Sequence, residues 1–103
     1  MKTLFTEEEL QTGDFVIAIN SHGGYTLGFY IGKGSGKSHQ FYDIYHLSNW
    51  INSGENSPRK SYIPKAEYYN FIKYSAELIT NKEELETYER AIEVLKILKI
   101  IEE

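Results

Sequence analysis

Gly13 to His46 reads GDFVIAINSHGGYTLGFYIGKGSGKSHQFYDIYH, and this stretch decides the fold. Phe15, Ile17 and Ile19 alternate along one face of its first run while Val16 and Ala18 fill the other, the near-continuous apolar reading of a strand covered on both sides. Such a strand belongs in the middle of a sheet. Ser21-His22-Gly23-Gly24 follows as a turn, and Leu27, Phe29 and Ile31 then repeat the period of two, so the two runs predict an antiparallel hairpin. Gly32, Gly34 and Gly36 punctuate a second turn through Ser38, a tip made basic by Lys33 and Lys37. The aromatic run Phe41-Tyr42-Asp43-Ile44-Tyr45 then supplies the third strand of a meander.

Outward from this centre the signals become helical. Thr6 with Glu9 has the pattern of a capping box, good for about one turn before Gly13, and Phe5 and Leu10 are placed to cover the open end of the sheet. Beyond the meander, Ser48 reads as the cap of a single helical turn that tucks Trp50 and Ile51 inward, with Trp50 as a core anchor in preference to a flat face for stacking a ligand. Glu55 to Lys60 has loop composition. Ser61-Tyr62-Ile63 reads as a short fourth strand, ended by Pro64, which has no N–H for a ladder. Pro64 also suits the first position of a helix, and from Lys65 to Ile79 there is no glycine or proline. Tyr68, Phe71, Ile72, Ser75, Ala76 and Ile79 follow i, i+3, i+4 spacing, which predicts a first helix. Thr80 with Glu83, or Asn81 with Glu84, caps a second, whose stripe of Leu85, Tyr88, Ile92, Leu95 and Leu98 or Ile101 runs to about Ile101. The stripe widens through Val94, Ile97 and Ile100. Either the two helices pack on each other and on the sheet, or the excess apolar surface serves a partner or a second copy of the chain.

The 103 residues suffice for one domain with a modest core. The expected fold is α+β: a strongly bent antiparallel sheet or small barrel over about 13–63, followed by a helical hairpin over about 65–101. Without cysteine, disulfides and thiolate metal sites are excluded, which fits a reducing, cytoplasmic setting. Glu7, Glu8 and Glu9 interrupt any signal-peptide pattern, and no apolar run reaches the length of a membrane span, so the expectation is a soluble, unprocessed protein. The formal charge of −4 is uneven: residues 1–65 balance six Lys/Arg against six Asp/Glu, whereas residues 66–103 carry five against nine. An acidic second half is poorly suited to tracking a phosphate backbone, because that binding depends on neutralisation by Lys and Arg.

Two chemical patterns fail on their spacing. Gly36-Lys37-Ser38 ends like a phosphate-binding loop, but the first glycine of such a loop would fall on Ile31, and the following segment reads as a strand where a helix N-terminus is required. His39, Asp43 and His46 would share a helix face, whereas a strand turns His46 away from the other two. No nucleophile elbow is present. The expectation is therefore no catalytic residues, no metal and no cofactor.

Glu9 to Val16, followed by Gly24, Gly28 and Ile31, resembles the start of small Src-homology-3-like barrels and of the KOW-type version found in transcription and ribosomal proteins, in which a Gly-Asp turn opens the strand and spaced glycines permit bending. Ser61-Tyr62-Ile63-Pro64 with Tyr68 is similar to the late Ile-Pro-x-x-Tyr segment of peptide-binding members. The similarity spans about residues 9–64. The early Ala-Leu-Tyr-Asp-Tyr run and the paired tryptophans of the family are absent. In its small, aromatic-rich, cysteine-free style the chain also resembles accessory proteins of tailed bacteriophages, which implies an inhibitor or regulator acting on a host factor. Together these readings imply a non-catalytic module with a macromolecular partner, a protein in preference to a nucleic acid, and self-association through the C-terminal helix as a further option. Tyr30 lies opposite the Leu27, Phe29, Ile31 set and Tyr42 opposite Phe41 and Tyr45, so both are expected to emerge outward as binding platforms. Lys33, Lys37, Arg59 and Lys60 complete the expected surface as a basic rim, and with the two tyrosines would form the interface in the nucleic-acid-binding alternative.

Overall fold

The computed structural model describes residues 10–20, 22–33, 39–56, 58, 60–63 and 68–99. It is α+β, with a five-stranded antiparallel sheet covered on one face by two helices. The strands are β1 (Phe15–Asn20), β2 (Tyr25–Lys33), β3 (His39–Asp43), β4 (Ser61–Ile63) and β5 (Tyr68–Lys73), in the spatial order β4-β3-β2-β1-β5. The helices are α1 (Ile44–Asn49) and α2 (Lys82–Ile97), with short 3-10 turns at Trp50–Asn52 and Ala76–Leu78.

The meander forms as its alternation requires. In the β1–β2 hairpin Ile17 faces Leu27 and Phe15 faces Phe29. Gly13 donates to the Tyr30 carbonyl (2.7 Å) and Tyr30 to that of Asp14 (2.9 Å), so the turn at Gly13-Asp14 feeds straight into the ladder. Between Tyr30 and Gly32 the β2–β3 register slips by a residue, and Gly32 sits there at φ +112°, a conformation that any side chain would strain.

The C-terminal third departs from expectation. Residues 68–73, read from their spacing as part of a first helix, form β5, and a 3-10 turn follows at Ala76–Leu78; Pro64 to Glu67 lie outside the described residues. Among the described residues there is accordingly one C-terminal helix, α2, and no helical hairpin. The physical reason lies in β1, which has two hydrogen-bonding edges of which the hairpin satisfies one. Tyr68-Tyr69-Asn70-Phe71-Ile72 is rich in aromatic and β-branched residues that suit a pleated surface. It pairs antiparallel with β1, Ile17 opposite Ile72, and Tyr74 extends the ladder by donating to the Phe15 carbonyl (2.9 Å).

The helices begin at side-chain caps. Asp43 ends β3 and caps α1, its carboxylate accepting from the Tyr45 N–H at 2.7 Å, so the helix starts before the Ser48 position expected for it. Ser48 instead donates to the Tyr45 carbonyl, and Ile51 is exposed rather than tucked inward. Of the two caps available to α2 the structure uses Asn81, whose side-chain oxygen accepts from the Glu84 N–H at 3.0 Å. The helix stops with Lys99 in the left-handed region (φ 60°), and its described span ends at Ile97.

The sheet has apolar side chains buried on both faces. On one, Ile17, Leu27, Phe29 and Tyr42 meet Ile44 and Leu47 of α1 and Ala91, Val94 and Leu95 of α2. Phe15 packs at this face against the rings of Phe29 (5.2 Å between centroids) and of Tyr88 on α2 (4.6 Å). On the other, Val16, Ala18, Tyr30 and Phe41 form a second buried cluster with Leu10, which does cover the sheet as expected. Thr6 to Glu9 lie outside the described residues.

Candidate protein interface

A sheet buried on both faces has no outward side at its central strands. Tyr30 is 4% exposed in the second cluster and Tyr42 is 8% exposed in the first, so the expectation that these two rings emerge outward is corrected. The error came from taking the face opposite each core set to be solvent. Lys33 closes β2 opposite His39, and Lys60 is exposed just ahead of β4. Lys37 and Arg59 lie outside the described residues, as does most of the glycine tip. The element that follows the tip is the strand β3, not the helix whose N-terminus a phosphate-binding loop requires. His39 lies on β3 and His46 on α1, and among the described residues no group of three or more His, Cys, Asp or Glu is placed to hold a metal.

Among the described residues, exposed aromatic rings lie elsewhere. Tyr25, the first residue of β2, is 53% exposed, and Tyr45, in the first turn of α1, is 46% exposed. They converge on the start of α2. The Tyr25 hydroxyl donates to Glu84 Oε2 at 2.7 Å, and Glu84 is itself fixed by the Asn81 cap. Three elements therefore contribute to one patch: β2 through its first residue, α1 through the cap that swings Tyr45 out of the strand, and α2 through its acidic first turn. Tyr74 lies close by and donates to the carbonyl of Leu78, a side chain that is itself exposed.

The electrostatics of the patch are one-sided. The Tyr25 phenol is held above its ordinary value of 10.0, first by its hydrogen bond to the Glu84 carboxylate, then by partial loss of water and by the charge of Glu84. Tyr45 is raised chiefly by loss of water, and further by the carboxylates of Glu84, Glu83 and Asp43. The sequence reading placed Tyr45 on a strand and gave Tyr25 no role, so it missed both. The one available signal was Asp43, a cap residue two positions before Tyr45.

A second concavity lies on the other part of α1. His46, Asn49, Trp50, Ser53, Glu55 and Pro58 line an open cleft of about 180 Å³. Trp50 packs against the main core, as its anchoring role requires, and its indole N–H is buried with no hydrogen-bond acceptor. Ser53 caps the turn beneath by donating to the Trp50 carbonyl at 2.7 Å.

No family model, no curated protein and no solved structure matches this chain. Among the described residues no helix is long and apolar enough to cross a membrane.

Proposed function

We propose that this protein is a non-catalytic interaction module that binds a protein partner, and so regulates or inhibits it, through the face built by Tyr25, Tyr45 and Glu84. The observation that carries this reading is the exposure of two tyrosine rings, 53% and 46%, on a surface held together by the Tyr25–Glu84 hydrogen bond. Tyrosine offers a rigid apolar ring with a polar end, and such residues supply a large share of the contacts that dominate interfaces. Leu78, 58% exposed, widens the apolar share of the same neighbourhood. On this reading the sheet is a scaffold, and its strand order supports a Src-homology-3-like or KOW-like relationship: an antiparallel meander β1-β2-β3-β4, followed by β5 returning to pair with β1, leaves β4 and β5 at the two free edges that a barrel would join. A nucleic-acid-binding reading would stack bases on Tyr30 and Tyr42, and both rings are buried.

The test is to place a photo-crosslinking residue at position 45 of the full chain, and separately at position 93. Glu93 is exposed and lies about two and a half helical turns beyond Glu84, on the opposite side of α2. A protein adduct recovered from position 45 and absent from position 93 is the expected result. Adducts from position 93 alone would move the interface to the far side of α2 and overturn the assignment.

A further inference from the structure

Resting on the interface reading, we infer that the partner presents an arginine-bearing segment, whose guanidinium groups lie on the Tyr25 and Tyr45 rings and pair with Glu84. Charge complementarity carries the argument. The two rings are exposed, and their faces are electron-rich, which attracts a cation placed over them. Glu84 Oε2 already accepts the Tyr25 hydroxyl at 2.7 Å, which leaves Oε1 and the remaining lone pairs of the carboxylate for a second donor. Glu83 follows Lys82 in the same first turn, and Asp43 caps the adjoining α1. The charged groups that act on the two phenols are the carboxylates of Glu84, Glu83 and Asp43, and although Lys82 opens the same turn, three carboxylates to one ammonium favour an incoming cation over an anion.

Arginine fits this arrangement better than lysine does. A planar guanidinium stacks on an aromatic face while its fork of N–H donors reaches a carboxylate edge-on, whereas an ammonium is a compact, strongly hydrated point charge without a planar face. A phosphate-bearing partner is disfavoured on the same grounds, since it would bring its own negative charge to Glu83 and Glu84.

The experiment titrates the full-length chain with three short glycine-spaced peptides, bearing arginine, lysine or glutamate, and follows the ring protons of Tyr25 and Tyr45 by NMR. The arginine peptide is expected to shift both rings and to bind more tightly than the lysine peptide, with no binding by the glutamate peptide. Binding should weaken about tenfold or more in Glu84→Gln and in the Tyr25→Ala, Tyr45→Ala double variant, while Glu93→Gln, an equal change of charge, alters it less than about twofold. Equal loss in Glu84→Gln and Glu93→Gln would reduce the effect to net charge and overturn the inference. Equal affinity for the lysine peptide, or tighter binding of a single-stranded oligonucleotide at these rings, would overturn it as well. If position 45 crosslinks to a partner segment that lacks Arg and Lys, the cationic assignment fails and the interface stands; if position 45 yields no adduct, the interface itself fails.

Discussion

Gly28 sits in β2 where the Phe41 ring crosses from β3, and a Cβ built on it would collide with that ring and with the Tyr42 carbonyl. Backbone and ring leave no space to give. Gly28→Ala should therefore destabilise by about 1 to 3 kcal/mol, the cost of overpacking a filled core, and denaturant unfolding measures it. A change within about 0.5 kcal/mol, the usual range for surface positions, would show that Phe41 moves aside freely. Gly32 is different in kind: no atom lies near its would-be Cβ, and its requirement comes from the positive φ at the β-bulge. Gly28 was visible in the sequence as one of the spaced glycines and Gly32 as the opening of a turn, yet the reason for Gly28 depends on a ring across the sheet, and no local pattern carries that information.

At the scale of the elements, α2 holds the main core closed. Leu95 and Val94 are 0% and 1% exposed against the sheet and α1, so Leu95→Ala should cost about 2 to 5 kcal/mol in chemical denaturation. A loss under about 1 kcal/mol, within the spread of surface changes, would mean that the helix is not packed as described. The helix was legible because its apolar stripe and its Asn81-x-x-Glu84 cap agree with each other. The hairpin β1–β2, β3 and the short β4 were legible through alternation and turns. The region from Lys65 to Ile79 was not, because a handful of apolar positions satisfies helical and extended periods alike, and the deciding fact was the unsatisfied edge of β1, a property of a strand far away in the chain. The interface was lost for a related reason: Tyr30 and Tyr42 were assigned to solvent by parity, whereas Tyr30 is buried in the second cluster and Tyr42 in the main core on the other face.

For the molecule as a whole, titration ties the surface to the core. The phenols of Tyr25, Tyr45 and Tyr88 are all raised above their ordinary value of 10.0, Tyr88 by burial against Phe15 and Phe29. The native state thus holds its protons to higher pH than the unfolded chain does, so this contribution is complete below about pH 10 and is lost as pH rises through the higher native values. Melting temperature should be flat on approach to pH 10 and fall beyond it, with a shallower fall in Tyr88→Phe; an unchanged fall in that variant would place the alkaline transition elsewhere. One consequence of the sheet order concerns how the chain is made. β1 is apolar on both faces and lies between β2, its immediate successor, and β5, which follows only after β3, α1 and β4. A ribosome therefore releases β1 and its hairpin long before the strand that covers the second edge, and through that interval the nascent protein displays an unpaired apolar edge of the kind that recruits other chains.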